Sequence, residues 1–260
     1  MEPVKPAILN GWLPDPPNAK DCSFQDFKKR LTPCAAGEEH ILATPTPVSN
    51  QGRLLSCTAN VTADALEILM AQDGPVVQLS RLFIYYNARN YHGATNQDAG
   101  TYLRMTFEAV KRLGVCPESI WGYVLGNVNL RPPLKAYHAA NDNKVTEFYR
   151  IGSKGEERLN DIDTALRSGH PVAFGTQLGK ELSHYKGETD AAFMPPTEFD
   201  GRHAMLICGV RRRNGRREYW IRNSWGPSWG LGGYVWLDES YINWSETSDL
   251  WVPTRMPTLA

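Results

Sequence analysis

Three polar side chains of this 260-residue sequence have the types and order that nucleophilic catalysis requires. Cys57 stands just before an apolar stretch with helical spacing, and at a helix start backbone N–H groups and the helix dipole stabilise a thiolate. The same N–H groups can bind an oxyanion. A nucleophilic cysteine also needs a base, and the base needs an orienting group. His203 and Asn223 can serve, since a known catalytic Cys/His/Asn spacing is about 130–150 residues: the histidine fits and the asparagine slightly exceeds it.

These residues must be positioned by two kinds of element. Helical periodicity predicts α-helices early in the chain, over about 57–72, 80–89, 101–113 and, later, 161–167. The apolar period then changes to two and predicts β-strands over 171–175, 203–211, 217–222 and 233–237. Helices first and strands second predict an α+β protein, with a helical lobe packed against a β lobe.

A predicted hairpin relates His203 to Asn223. Asn214-Gly215 is a strong signal for a two-residue turn between two strands. Pairing outward from this turn places both side chains near the open end of one ribbon, offset by three residues, or roughly 10 Å. Strand twist or a bulge could close that gap, so the sequence predicts proximity and leaves contact open.

Composition excludes several classes of protein. Lys+Arg 28 against Asp+Glu 28 leaves no net charge, which argues against a strongly basic nucleic-acid binder. The five arginines around the hairpin tip then indicate a solvated turn rather than a nucleic-acid patch, because no aromatic residues interleave with them: Arg211, Arg212, Arg213, Arg216 and Arg217. No apolar run approaches the ~18–20 residues of a membrane span, and no secretory signal is seen. We therefore expect a cytoplasmic protein or export by a signal-independent route.

The cysteines form no metal-binding pattern. Five cysteines without a CxxC pair give little support to a structural zinc site, and we expect no metal or organic cofactor. The odd count leaves at least one thiol free. Cys22 and Cys34 could form a bridge, although free thiols are the alternative that we favour.

Several motifs in order resemble the papain-like (C1) cysteine peptidases, in particular their bacterial branch. Gln51 precedes Cys57 by the six residues typical of that family, and Ser56–Asn60 is similar to the bacterial nucleophile motif. His203-Ala204 matches the histidine motif. Residues 223–234 contain the asparagine motif Asn-Ser-Trp-Gly-x-x-Trp-Gly-x-x-Gly-Tyr in full. The similarity covers about residues 41–252 and implies a two-lobe fold, with an N-terminal helical lobe, a C-terminal antiparallel β lobe and an active-site cleft between them.

The resemblance implies a cysteine endopeptidase that works through a thioester acyl-enzyme. Cys57 would attack the peptide carbonyl, His203 would act as base and then acid, and Asn223 would orient the imidazole. Trp225 would shield that hydrogen bond, and the Gln51 amide with the Cys57 N–H would form the oxyanion hole. An amidase, deamidase or acyltransferase could use the same chemistry and is the alternative. An inactive binding protein is less favoured, because all four catalytic positions are intact.

The resemblance also implies substrate contacts. Gly175 aligns with a wall of the S2 pocket, and Arg202 lies where the rim of the S2 and S1′ sites is expected. An edge that binds substrate backbone is similar to Asp98, Ala99, Gly100 and Thr101. Leu54 and Leu55 depart from the family, since many members have Cys and Gly there, and a common disulfide is therefore absent.

The proline-rich residues 1–40 precede the peptidase domain, which we place at residues 41–260. They are too short for the helical propeptide domain of many relatives. Either they form a surface tail, or they pack near the cleft and restrain access, with Trp12 and Phe24 as apolar anchors. Proline-fixed backbone loses less entropy on docking, so under the second hypothesis a short segment can bind through few contacts. The expected partners are a polypeptide substrate and this segment, with no nucleic acid and no membrane, and we expect a monomer.

Overall fold

The computed structural model describes residues 9–35, 37–141 and 147–254. In these ranges the helices are α1 (Phe24–Lys28), α2 (Cys57–Met70), α3 (Arg81–Asn90), α4 (Leu103–Leu113), α5 (Leu134–Ala140), α6 (Gly155–Arg167), α7 (Lys180–Ser183) and α8 (Glu239–Ile242), with a 3-10 turn at Leu125–Asn127. The strands are β1 (Glu39–Ile41), β2 (Glu147–Arg150), β3 (Val172–Leu178), β4 (Gly201–Arg213), β5 (Arg216–Arg222), β6 (Tyr234–Asp238) and β7 (Ser248–Thr254).

The strands form one antiparallel sheet in the order β2-β7-β3-β4-β5-β6, and β1 pairs with β4. Helices α2, α3 and α4 pack on one another, and α2 also packs on β4. Every residue of α2 is buried, so this helix lies at the centre of the molecule between the helical part and the sheet. The nucleophile candidate therefore begins the most deeply buried helix, and the predicted α+β, two-lobe architecture is confirmed.

The predicted helices and strands are present with small shifts at their ends. Helix α3 starts after Ser80, whose hydroxyl accepts the Phe83 N–H. Helix α4 ends at Gly114, which has a φ of 74°, a conformation that favours glycine. Helix α6 starts at Gly155, six residues before the prediction. Its first turn carries Glu156 and Glu157, acidic residues that the helix dipole stabilises.

The hairpin contains a bulge that the sequence did not reveal. Pairing runs from Arg213 with Arg216 to Gly209 with Trp220, as the turn predicts. The register then shifts so that Ile207 pairs with Ile221, leaving Cys208 as an extra residue. This shift carries the end of β5 one residue closer to His203 along β4.

Other elements were not predicted, including β1, β2, β7, α1 and α5. All five cysteines are free, so the Cys22–Cys34 bridge is not formed. Each of the five arginines at the hairpin tip lies within ion-pair distance of a carboxylate. Arg212, Arg213 and Arg216 are exposed, whereas Arg217 is buried and not solvated as expected. Across the described ranges, no helix is long and apolar enough to cross a membrane, and no group of three or more His, Cys, Asp or Glu side chains is arranged to hold a metal ion.

Candidate active site

His203 and Asn223 are in direct contact. The imidazole Nε2 donates to Asn223 Oδ1 over 2.8 Å, and the same oxygen accepts the Ser224 N–H at 2.7 Å. Because Nε2 donates, Nδ1 carries the lone pair and is the atom that can accept a proton. Nδ1 is buried and has no hydrogen-bond partner within the described part of the chain. The Trp225 ring stacks on the imidazole with 4.5 Å between ring centroids and covers it on one side.

Cys57 is the first residue of α2, and its thiol lies beside the start of the histidine strand. Backbone N–H groups of Ala204, Thr58 and Cys57 itself favour the thiolate. Burial opposes them and raises the pKa of the Cys57 thiol to about 12. Burial also lowers the pKa of His203 to about 4, although the hydrogen bond to Asn223 acts in the opposite direction. In this conformation both groups are therefore neutral.

The Gln51 side chain is held in one orientation. Its Nε2 donates to Leu54 O at 2.8 Å, and its Oε1 accepts the Ser224 hydroxyl at 2.7 Å. Its backbone N–H donates to Ser224 O, again at 2.8 Å. A primary amide has two N–H donors, so one remains for an oxyanion. Ser224, which links Gln51 to Asn223, was missed as a functional residue although it lies inside the asparagine motif.

Residues 10–13 lie across Cys57, with Asn10 at a φ of 69° and Trp12 paired with Thr101 in a parallel β-bridge. Asn10 N–H donates to Arg202 O at 2.6 Å, and Arg202 N–H donates to Asn10 Oδ1 at 3.1 Å. Thr101 N–H donates to Gly11 O, and Leu13 N–H donates to Thr101 O, both at 3.0 Å. These bonds, three between main-chain groups and one to the Asn10 side chain, fix the segment to both sides of Cys57.

Gly11 lies directly on Cys57. A Cβ added to Gly11 would stand 2.9 Å from Cys57 Sγ and 2.6 Å from Leu55 O, closer than real Cβ contacts. The next residue, Trp12, packs its indole on Gly175, where an added Cβ would be 2.0 Å from Trp12 Cε2. Both contacts require glycine, so the segment and the cleft fit each other only because neither position has a side chain.

Comparison with known proteins shows which family this chain belongs to. The sequence pattern of the papain family of cysteine proteases matches residues 39–250. The chain belongs to the papain family. It is 31% identical over 224 residues to an uncharacterised peptidase C1-like protein of Acanthamoeba polyphaga mimivirus, covering 82% of this chain and 71% of that protein. It is 26% identical to ananain of Ananas comosus, covering 74% of this chain and 52% of ananain.

Solved structures agree with this assignment. Xylellain, a cysteine protease from Xylella fastidiosa, superposes with a TM-score of 0.79 and 28% identity, covering 98% of this chain and 99% of xylellain. A digestive procathepsin L of Tenebrio molitor shares the fold, with a TM-score of 0.70 and 21% identity over 97% of this chain and 77% of its own. The chain spans only about half of several curated relatives, as it does for ananain. Membership of the papain family identifies this chain as a papain-like cysteine peptidase.

The residues that the family resemblance predicts to contact substrate differ in what they contact in this structure. Thr101, Arg202 and Gly175 contact the residues that cross the cleft. Gly100 does not offer its N–H there, because it donates to the Tyr85 hydroxyl at 2.9 Å. The Asp98 carboxylate accepts the Leu55 N–H and the Tyr85 hydroxyl, so its contacts are with the protein itself. Ala99 is half-buried.

A carboxylate pair that the sequence did not suggest anchors the segment beyond Trp12. Asp249 Oδ2 accepts the Trp12 indole N–H at 3.1 Å and the Asp15 N–H at 2.7 Å. Asp15 Oδ2 in turn accepts the Trp251 indole N–H at 2.7 Å. Burial and the nearby Asp249 raise the pKa of Asp15 to about 7, while Arg104 acts in the opposite direction. The two carboxylates therefore hold the segment more firmly when one of them is protonated.

Proposed function

We propose that Cys57, His203, Asn223 and Gln51 perform the chemistry of this cysteine endopeptidase, and that the chain's own N-terminal segment holds it in a latent form. In the reaction Cys57 Sγ attacks the substrate carbonyl carbon and His203 Nδ1 takes the thiol proton. The proton then passes to the leaving amine, and water hydrolyses the thioester. The free Gln51 N–H and the Cys57 N–H stabilise the oxyanion at both stages.

The observation that carries the latent form is the position of Gly11. Substrate cannot reach Cys57 while Gly11 lies on it. The segment also escapes attack, because the Gly11 carbonyl oxygen accepts the Thr101 N–H instead of entering the oxyanion hole. Burial of Cys57, on which Gly11 lies, raises the pKa of the thiol and so disfavours the thiolate. Residues 10–13, which we call the cover, thus both block access to Cys57 and disfavour its thiolate form.

The way in which the segment is bound also favours a polypeptide substrate over a small amide. Three of its bonds to Arg202 and Thr101 join main-chain groups, which every polypeptide carries, and a fourth uses the Asn10 side chain. A groove that binds extended backbone in this way suits peptide hydrolysis better than the amidase, deamidase or acyltransferase alternative.

Removal of the segment tests the proposal. Residues 21–30 pack into the protein: Phe24 is buried, Phe27 stacks on Tyr149 and Asp21 pairs with Arg104. A cut near Gly37 would therefore destabilise the enzyme, whereas a chain beginning at Pro14 loses the cover and keeps these contacts. This truncated chain should react faster with an epoxide inhibitor and should cleave a mixed peptide library faster than the full chain.

The outcomes test the endopeptidase activity and the latent form separately. Faster labelling and faster cleavage support both. Labelling without cleavage of any peptide would contradict the endopeptidase and favour the alternative chemistry on the same site. A folded truncated chain that labels at the full-length rate would show that residues 1–13 do not restrain the active site.

A further inference from the structure

The backbone just before Cys57 is held by a buried hydrogen-bond unit outside the catalytic set. Both oxygens of the Asp98 carboxylate accept the Leu55 N–H, each at 3.1 Å. The Tyr85 hydroxyl donates to Asp98 Oδ1 at 2.5 Å and accepts the Gly100 N–H at 2.9 Å. Asp98 and Tyr85 together thus join the stretch leading to the nucleophile with the edge at Gly100 and Thr101.

This unit rests on a rigid base. Tyr85 belongs to α3 and is fully buried. The Arg89 guanidinium lies 4.1 Å from the centre of the Tyr85 ring and is itself buried. Arg89 also donates to the backbone carbonyls of Ala94 and Gln97, which hold the loop that carries Asp98. The carboxylate therefore has a fixed position from which to hold Leu55.

Asp98 holds the Leu55 N–H, while the residues on either side are held by other bonds: Leu54 O accepts the Gln51 amide, and the Ser56 hydroxyl bonds to the Tyr123 hydroxyl. Ser56, the residue before α2, forms no side-chain cap with its own helix. Leu54 and Leu55 carry no disulfide that could fix them. Leu55 is two residues before Cys57, whose N–H is one of the two proposed oxyanion donors. A shift of the Leu55 peptide would carry that N–H out of line, and a misplacement of about 1 Å can cost 10²-fold in rate.

We propose that Asp98 is a positioning residue that sets the oxyanion-hole backbone at Cys57 through the Leu55 N–H, with Tyr85 holding its carboxylate. The role rests on the proposed function, since it matters only if Cys57 is the nucleophile. It also differs from the substrate-backbone role that the family resemblance implies for Asp98. Positioning acts mainly on kcat, whereas substrate contact would act mainly on KM.

Two substitutions test the proposal, each made in the full chain and in the chain beginning at Pro14, with rates normalised to the fraction of Cys57 that an epoxide inhibitor labels. Asp98→Ala should lower kcat on a short peptide by about 10- to 100-fold with little change in KM. Asp98→Asn keeps an oxygen acceptor for Leu55 and should recover kcat to within a few-fold of wild type. Asp26→Ala, at an exposed aspartate paired with Lys29, is the matched control and should change neither constant.

A second readout separates positioning from a general loss of stability. The negative charge of Asp98 raises the pKa of Cys57, so Asp98→Asn should shift the pH profile of Cys57 alkylation to lower pH. Tyr85→Phe should lower kcat less than Asp98→Ala, and the double variant should lose no more than Asp98→Ala alone, because the two act as one unit.

Failure of the proposed function and failure of the positioning role give different results. If neither the full chain nor the chain beginning at Pro14 cleaves any peptide, the proposed function fails. If wild type cleaves peptides and Asp98→Ala keeps its kcat per labelled site, the positioning role is overturned. A rise in KM that Asp98→Asn does not reverse would overturn it in favour of a substrate contact.

Discussion

Replacing Trp12 by alanine should convert the latent enzyme into an open one. The indole is 2% exposed, packs flat on Gly175 and donates to Asp249. Truncating a buried tryptophan to alanine costs about 3–5 kcal/mol. Undocking exposes Trp12 without unfolding the rest, so this cost falls on the docked state alone. At about 1.4 kcal/mol for each tenfold change, the open population should rise by a factor on the order of 10²–10³.

The rate of Cys57 labelling measures that population. With the epoxide inhibitor in excess, the second-order rate constant of the full chain is the open fraction multiplied by the rate constant of the open enzyme. The chain beginning at Pro14 supplies the open value, which is also the ceiling for Trp12→Ala. We expect the variant to move from the full-length rate most or all of the way to that ceiling.

Control variants separate release of the cover from general damage. Trp244→Ala removes a partly buried indole that packs on Tyr241 and Phe199, and it should leave the labelling rate unchanged. Circular dichroism should show both variants folded. The reasoning is refuted if the truncated chain labels faster than the full chain while folded Trp12→Ala labels at the full-length rate, because the docking energy would then reside elsewhere.

Three further predictions concern the catalytic groups and the pH dependence. Cys57→Ala should abolish turnover and epoxide labelling in a folded protein. Cys208→Ser, at a buried thiol of β4, should retain both. Turnover in Cys57→Ala would show that Cys57 is not the nucleophile. Gln51→Ala should lower kcat by about 10²-fold with a smaller change in KM, measured by steady-state kinetics, because its N–H acts mainly in the transition state. The labelling rate of the full chain relative to the chain from Pro14 should rise with pH from about 4 to 7 and then level off. The docked Asp15 keeps its proton to about pH 7, whereas a free carboxyl loses it near 3.8, so docking weakens across that window. In Asp15→Asn the change of this ratio with pH should be much smaller, because only Asp249 of the pair is left to titrate.

The catalytic candidates could be predicted because their signals are local. A helix start at Cys57 and a two-residue turn at Asn214-Gly215 follow from short stretches of sequence. The hairpin then brings His203 near Asn223 without any long-range assumption. The remaining offset of roughly 10 Å could not be resolved, since the bulge at Cys208 depends on how β4 and β5 pack and not on a turn residue.

Strands that pair with residues far away in the chain could not be predicted, because no local sequence pattern marks them. Strand β2 has four residues and pairs with β7, about a hundred residues away in the chain. In β7, Asp249 has a φ of 54° and Pro253 lacks an N–H, so neither residue favours a strand by itself. The bond between Asp98 and Leu55 was missed for the same reason, because no motif relates a loop carboxylate to a backbone N–H on another element.

The docked segment explains why the charge state of the site depends on residues far from the catalytic motifs. A papain-like nucleophile works as a thiolate beside a protonated imidazole, and a pair of charges needs solvent or polar groups around it. Gly11 lies on Cys57, and burial raises the pKa of the thiol and lowers the pKa of His203, so both groups stay neutral. Undocking restores water to the cleft and returns the thiol and imidazole pKa values toward each other. Under the proposed latent form, release of Trp12 from Gly175 and Asp249 would therefore control both access to the cleft and ionisation of Cys57.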